Sequence, residues 1–163
     1  MTTLDVARAV FVPRGKDRFD QPDRRIWGLI PLCTKLSARH DTGGAVHIFE
    51  HTDMDKGGPP RHVHHAQDEW FYVVKGDYVM EVGDERFNLK AGDSLLAPRG
   101  VPHAWARVGE VPGTLITLVH PAGTFETFID ETAKEATLPS PEEIAAHFAA
   151  HGMTVIGPPL AVE

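Results

Sequence analysis

The sequence has a single cysteine, Cys33, among its 163 residues. An internal disulfide is therefore excluded, and because disulfides accumulate in oxidising compartments we expect a reducing, cytoplasmic location. We interpret Cys33 as a small buried apolar residue. Long hydrophobic runs are missing too, since none approaches the roughly 18–20 residues that cross a bilayer. The first residues lack the apolar core and small-residue cleavage site of a signal peptide, so we expect neither export nor membrane contact.

Positive charge is also scarce. The 16 Lys and Arg residues are outnumbered by 23 Asp and Glu residues, which leaves a formal net charge of −7. Proteins that bind nucleic acids gather basic residues into a patch or stripe, and the pair Arg24 and Arg25 is too short to form one. The sequence lacks a Gly-x-Ser-x-Gly nucleophile motif and a phosphate-binding glycine loop as well. We therefore expect no nucleic-acid partner and no serine-based catalysis.

Short hydrophobic runs separated by turn residues fill the middle of the chain. Their spacing of roughly 8–12 residues is typical of an all-β sandwich or barrel. We divide the chain into an N-terminal arm (1–25), a β-barrel (26–135), and a C-terminal helix and tail packed on the barrel (136–163). The predicted strands are residues 26–36, 44–50, 69–75, 77–82, 86–89, 94–97, 103–108, 114–120 and 125–129.

One helix is predicted near the C-terminus. Ser140 as N-cap, Pro141 at the first helical position and Glu143 at the third make a capping box. Gly152 supplies the stop. We interpret the helix as a lid on the outside of the barrel or as part of a dimer contact, without a chemical role. Its predicted apolar stripe is Ile144, His147 and Phe148, and His147 with His151 forms a pair for which the sequence indicates no further metal ligand.

Histidine is the abundant residue, with 10 copies. His62 and His64 have strand spacing, so both rings leave one face about 6.6–7 Å apart at the Cα level. Glu69 has the opposite parity, so residues 66–68 must form a turn or bulge before a return strand. With His103 on a later strand, three imidazoles and a carboxylate suit Fe(II), Mn(II), Co(II), Ni(II), Cu(II) or Zn(II). Open coordination positions favour catalysis or ligand capture over a purely structural ion.

The first of these stretches resembles the first motif of the cupins, G-x5-H-x-H-x3,4-E-x6-G. His62 and His64 are followed after four residues by Glu69, and after six more by Gly76. The leading glycine stands one place late, at Gly57. A match with this spacing is specific to the family.

The second stretch resembles the second cupin motif, G-x5-P-x-G-x2-H-x3-N. Gly92, Pro98, Gly100 and His103 stand at the required positions, whereas Arg107 replaces the final asparagine. The resemblance covers roughly residues 43–130. It implies an all-β double-stranded β-helix, the cupin jelly-roll barrel, with a short C-terminal helix. It also implies that His62, His64, Glu69 and His103 bind one divalent transition metal.

Single-domain cupins that resemble one half of a quercetin 2,3-dioxygenase are the most similar group. Residues 67–73 and 157–160 carry this likeness. Such proteins are commonly dimers, so we expect a homodimer to which the apolar run at 10–12 contributes an edge strand.

Several side chains are candidates for a substrate pocket. Trp105 and Arg107 share strand parity with His103, and Phe71 shares parity with Glu69. Trp105 and Phe71 would wall a pocket for a planar substrate or simply fill the barrel. Arg107 would meet an anionic partner or lie exposed at the rim.

His47 in the middle of a strand is a candidate interior donor, and His65 and Gln67 flank the ligands. Glu50, His51 and Asp53 are expected on a solvated rim.

These residues favour an oxygen-dependent metalloenzyme that acts on a small enol, phenol or keto acid. Glu69 would be a ligand and would also accept the substrate proton, since no other base stands out. One alternative is a metal-dependent isomerase or decarboxylase on the same site. Another is a barrel that binds or senses a small molecule without turnover.

Overall fold

Strands dominate residues 8–163, the part of the chain that the computed structural model describes. None of the helices in this part is long and apolar enough to span a bilayer. The elements are β1 (Arg25–Ile26), β2 (Ile30–Pro31), β3 (Cys33–Leu36), α1 (Ala38–Asp41), β4 (His47–Met54), β5 (Pro60–His64), β6 (Asp68–Lys75), β7 (Asp77–Val82), β8 (Glu85–Leu89), β9 (Ser94–Ala97), β10 (His103–Val108), β11 (Gly113–His120), α2 (Phe125–Thr132), α3 (Pro141–Ala150) and β12 (Met153–Pro159).

Two five-stranded antiparallel sheets make the barrel. The first has the strand order β12-β5-β10-β7-β8, and the second has the order β3-β4-β11-β6-β9. From β4 to β6 and again from β9 to β11, successive strands alternate between the two sheets. This is the double-stranded β-helix of a jelly roll. The predicted fold class is confirmed, including the short C-terminal helix α3 with its Ser140–Glu143 capping box.

Strand alternation fills the space between the sheets with apolar side chains. On β6, buried and partly exposed residues alternate from Asp68 to Val73, as expected for a strand with one face on a core. One hydrophobic cluster joins the barrel to α2 and α3 and includes Phe125 and Phe148. A second cluster lies between strands of both sheets and includes Tyr78 and Trp105.

Gly76, the closing glycine of the first motif, joins β6 to β7. Its backbone has φ +82°, which L side chains rarely adopt. A Cβ atom at this position would lie 2.8 Å from the Cα atom of Gly113. Both the turn and the close approach of two backbones therefore require glycine here.

The predicted strand at 125–129 is wrong, because this segment begins helix α2. Phe125, Phe128, Ile129 and Thr132 are buried, and their spacing of three, four and seven residues is that of one helix face. Thr124 precedes the helix. The apolar content of this segment agrees with a strand as well as with a helix, and only the spacing of its buried residues distinguishes the two.

The segment after α3, predicted as a tail packed on the barrel, forms strand β12 at Met153–Pro159. It pairs antiparallel with β5, with Met153 opposite His64 and Val155 opposite His62. The strand that carries two candidate metal ligands is thus flanked on both sides within the first sheet. The predicted boundaries at 25 and 135 remain predictions.

The predicted strand at 26–36 is interrupted. Trp27 and Gly28 have φ of 49° and 72°, so the chain turns there and β1 and β2 form a separate two-stranded ribbon. Strand β4 begins at His47 instead of residue 44 and runs on to Met54.

Candidate metal centre

Four side chains from three strands converge inside the barrel. His62 and His64 come from β5, Glu69 from the start of β6, and His103 from the start of β10. His103 lies directly opposite His62, since β10 pairs with β5. The chain bends at residues 65–67 and enters the second sheet, so Glu69 meets the histidines from the facing side. Each of the four residues is at most 4% exposed.

The donor atoms are spaced as ligands of one ion would be. His62 Nε2 lies 3.2 Å from His64 Nε2. Glu69 Oε2 lies 3.1 Å from His64 Nε2 and 2.8 Å from His103 Nε2. Ligands that bind at right angles with bonds of about 2.1 Å stand about 3.0 Å apart. The four residues offer donor atoms that all lie within 4.8 Å of one another, so the set fits a single first-row divalent ion.

The outer nitrogens of two histidines support this assignment. His62 Nδ1 lies 2.7 Å from the carbonyl oxygen of Pro60, and His103 Nδ1 lies 3.2 Å from that of Val101. A carbonyl oxygen only accepts, so each Nδ1 carries the hydrogen and donates it. In the neutral form of each ring the lone pair is then on Nε2, which faces the centre, and this is the arrangement of metal-binding histidines.

His64 is oriented by a side chain. Its Nδ1 donates to Gln67 Oε1 at 3.2 Å, and Gln67 Nε2 in turn donates to the carbonyl oxygen of Ala122 at 3.1 Å. The amide of Gln67 thus cannot turn without losing a bond to the backbone. Gln67 holds His64 from the position that the sequence indicated.

Burial and neighbouring charge set the protonation of the site. Burial lowers the pKa of His62 to about 3, so this ring is neutral. Burial raises the pKa of Glu69, but the charge of His64 and hydrogen bonds from His103 and His64 outweigh it and lower the pKa below its usual value. Burial lowers the pKa of His64, but the charge and hydrogen bonds of Glu69 outweigh it and raise the pKa. A divalent ion would take the place of the His64 proton beside a carboxylate that is already ionised.

A small, largely apolar cavity of about 50 Å³ adjoins the centre. Two of the candidate ligands, His62 and Glu69, form part of its wall. Helices α2 and α3 lie over it, and we call them the cap. The ring of Phe148 on α3 stands 5.0 Å from the ring of His62, centroid to centroid. The other lining residues are Ile26, Trp27, Ile30, Phe49, His51, Pro59, Trp105, Phe125, Phe128 and Ile129.

The candidate substrate residues are divided between the cavity and the rest of the barrel. Trp105 lines the cavity. Phe71 is buried outside its lining, with its ring 6.4 Å from that of Trp105 and 6.2 Å from that of His103. His47 is fully buried beside Phe49 and lies outside the lining too.

Arg107 is buried, and its hydrogen-bond partners are backbone carbonyl oxygens. Its Nη1 donates to the carbonyl oxygens of Val108, Gly109 and Val111 at 2.7–3.1 Å. The guanidinium therefore organises the turn that follows β10. Among the described residues, the cavity wall does not include Arg107.

His51 is the residue that sequence reasoning misplaced. It was expected on a solvated rim, yet it is 2% exposed and lines the cavity. Its Nδ1 lies 2.7 Å from the carbonyl oxygen of Pro31, and burial lowers its pKa to about 4. The signal was present in the sequence, since His47, Phe49 and His51 alternate along one face of β4.

Comparison with known proteins agrees with the jelly-roll fold. The family model for the cupin domain matches residues 50–119. An uncharacterised protein of Methanocaldococcus jannaschii is 29% identical over 65 residues, which is 40% of this chain and 52% of the relative. The chain thus spans about half the length of that curated relative.

Two solved structures are similar to this chain. An RmlC-like cupin from Shewanella frigidimarina is 26% identical with a TM-score of 0.50, over 61% of this chain and 82% of that chain. A conserved protein with a double-stranded β-helix domain from Klebsiella pneumoniae is 22% identical with a TM-score of 0.49, over 60% and 82%. The cupin domain match and the jelly-roll topology together support the cupin superfamily for this chain.

Proposed function

We propose that this chain is a metal-dependent cupin enzyme of the oxygenase type, acting on a small enol, phenol or keto acid. One observation carries the proposal: a buried set of three histidines and one glutamate borders an apolar cavity that the cap covers. Exclusion of water strengthens electrostatic interactions in a site and protects reactive intermediates. An apolar chamber of this size suits a small molecule such as dioxygen beside the reacting atoms.

His62, His64, Glu69 and His103 would hold the ion. When bound, a first-row ion supplies Lewis acidity and, for iron, manganese or copper, electron exchange with dioxygen. The hydrogen bonds on the outer histidine nitrogens keep the rings in place before any ion binds, so little rearrangement accompanies binding. We propose Fe, Mn, Ni, Cu or Zn as the resident metal.

Two residues can handle the substrate proton. His51 donates its Nδ1 hydrogen to Pro31, which leaves Nε2 of the neutral ring as an acceptor. Glu69 lines the cavity as an ionised carboxylate and binds the histidines through Oε2. The ring of Trp105 stands 5.4 Å from that of His51, at an angle of 31°, and offers a flat wall to a planar substrate. We assign proton transfer to His51 or Glu69 and orientation of the substrate to Trp105.

We infer from the small size of the cavity that the cap moves when a substrate binds. Pockets for drug-sized ligands usually measure about 300–1,000 Å³, whereas this cavity measures about 50 Å³. Phe148 and its neighbours on α2 occupy the space that a substituted phenol would need. We infer that the substrate displaces Phe148 when it binds.

A second candidate function is a metal-dependent isomerase or decarboxylase. His51 favours it, because a neutral histidine beside a metal site can take a proton from one atom and return it to another. Such a reaction would need no oxygen.

Oxygen uptake separates the candidates. The full chain, purified without a tag, chelator or air, is screened against phenols, enols and keto acids in an oxygen-electrode cell. Oxygen consumption that matches substrate loss, and that is missing in a His62→Ala, His103→Ala variant, supports the oxygenase. Equal turnover under nitrogen supports the isomerase or decarboxylase and rejects the oxygenase. Thermal stabilisation by a compound without turnover indicates a binding protein instead.

We also propose that the chain forms a homodimer. Val10 and Phe11 lie outside the strands of residues 8–163, and Phe11 is 86% exposed. An exposed apolar run of this kind suits contact with a second copy. Sedimentation at micromolar concentration should find a dimer that Phe11→Asp weakens; a monomer for both proteins would contradict the proposal.

A further inference from the structure

A second cluster of metal-ligating side chains lies in the cap. Glu131 belongs to the last turn of α2, and His147 and His151 stand four residues apart at the end of α3. His151 Nε2 lies 2.9 Å from Glu131 Oε2, and His147 Nδ1 lies 3.7 Å from the same oxygen. The three residues offer donor atoms that all lie within 4.8 Å of one another. Two histidines four residues apart on a helix, completed by a glutamate, are a recurrent zinc-binding set.

The opposite nitrogens of both rings already have partners. His147 Nε2 lies 3.3 Å from the carbonyl oxygen of Phe128, and His151 Nδ1 lies 3.0 Å from Thr124 Oγ1. The carbonyl requires His147 Nε2 to carry the hydrogen, so in the neutral form of the ring the lone pair is on Nδ1, facing Glu131. A hydrogen bond from the non-binding nitrogen to an oxygen is the usual support of a metal-bound histidine.

We propose that Glu131, His147 and His151 form a second divalent-cation site, of the zinc class, that clamps α2 to α3. Three protein ligands leave a fourth tetrahedral position for water or a ligand. Glu131 and His147 also line a surface groove of about 610 Å³, through which an ion reaches the site. The half-exposed Glu131 would supply the negative charge that two neutral imidazoles lack.

The clamp acts on the barrel through Phe148. Phe148 follows His147 on α3 and covers His62. An ion held between α2 and α3 therefore restrains the helix that covers the cavity. This site does not depend on the proposed oxygenase activity, because it involves none of the four barrel residues.

Zinc titration of the metal-free full chain tests the proposal. Bound zinc is measured by competition with a chromophoric chelator in the wild type, Glu131→Gln, His151→Ala and the control His40→Ala, which removes an exposed histidine outside both clusters. Circular dichroism and gel filtration confirm that each variant is folded. Glu131→Gln keeps an oxygen that can accept from His151, so the helix contact survives. We expect both cap variants to lose one zinc equivalent or to bind it at least about tenfold more weakly.

Equal zinc binding by the wild type and both cap variants would overturn the proposal, whatever the barrel binds. Hydrogen exchange gives a second test, because an ion pair without a metal would not make the amide exchange rates depend on zinc. Zinc should slow amide exchange in residues 141–150 of the wild type and leave that of Glu131→Gln unchanged. Equal slowing in the two proteins would reject the clamp.

Discussion

The barrel centre and the cap cluster both consist of histidines and a glutamate. They differ in the sequence separation between each histidine and the hydrogen-bond partner of its outer nitrogen. In the barrel, the outer nitrogens of His62 and His103 donate to carbonyls two residues before them. In the cap, the corresponding partners of His147 and His151 lie 19 and 27 residues away. The strand and turn around each barrel histidine thus determine its orientation, whereas the orientation of the cap histidines depends on how two helices pack.

The two clusters also differ in burial, since the barrel side chains are less exposed than the cap side chains. All four barrel side chains are at most 6% exposed, whereas the cap side chains are 10–45% exposed. A buried charge requires a partner or a metal, so Glu69 depends on its histidine partners more than the half-exposed Glu131 does. The cap cluster can persist as a hydrated ion pair when no ion is bound.

The largest expected effect is the loss of the barrel ion. In the double variant His62→Ala, His103→Ala, two of the four ligands are missing, so the barrel equivalent of metal should disappear while the cap equivalent remains. Elemental analysis after dialysis against trace zinc or iron measures both. His65→Ala is the matched control, since His65 is exposed and bonds Thr154. If the double variant retained the full metal content, the four barrel residues would not be the ligands of a separate metal site.

Phe148 joins the two regions, and its truncation should affect both. Phe148→Ala removes a ring that is 3% exposed, so we expect a loss of about 3–5 kcal/mol in the free energy of unfolding. A chelator should also extract the barrel metal faster, because the ring no longer covers His62. Urea denaturation and the rate of metal release measure the two effects. Ile144→Ala, on the same helix and only partly buried, should change both less; an unchanged release rate in Phe148→Ala would show that the ring is no barrier.

Acid should destabilise the barrel interior through its neutral histidines. Burial lowers the pKa of His51 to about 4 in the folded protein, against about 6.5 in the unfolded chain. The unfolded chain binds the proton first, so stability falls as the pH drops from about 6.5 to 4, by roughly 3 kcal/mol for this group. Urea titrations of the metal-free protein between pH 7 and 4 should show a shallower loss for His51→Gln. Parallel curves for the two proteins would mean that His51 is protonated without cost.

A smaller effect is expected at Gln67, because it supports His64 without binding the ion. Gln67→Ala should weaken metal binding by about 10–100-fold. Competition with a chelator of known affinity measures the change. The contact of His64 with Gln67 joins two side chains, as that of His151 with Thr124 does in the cap, although Gln67 is only three residues from His64. If Gln67→Ala binds metal as the wild type does, the backbone alone orients the barrel histidines.

Much of the barrel centre was predictable because its determinants are local. The spacing of His62 and His64, the bend before Glu69 and the glycine at Gly76 are properties of consecutive residues, and the structure has each where the sequence indicates it. The motif spacing also identified His103, although its partner strand lies far away in the chain. Gly76 is required by a contact with Gly113 that the sequence alone does not display.

His51 was misplaced because its surroundings come from distant segments. His51 is buried by Trp105 and the ribbon around Pro31. Arg107 is buried because a turn offers three carbonyl oxygens to its guanidinium, a pairing that strand parity does not predict.

The sequence by itself determined the alternation of the strands, the turns between them and the four side chains of the barrel centre. These depend on backbone geometry over a few residues, which composition and spacing specify directly. Only the tertiary structure decided that 125–129 is a helix, that β12 completes the sheet beside β5, and that α2 brings Glu131 to His147 and His151. Those outcomes depend on which apolar faces pack against each other. Packing between distant segments is a property of the whole chain.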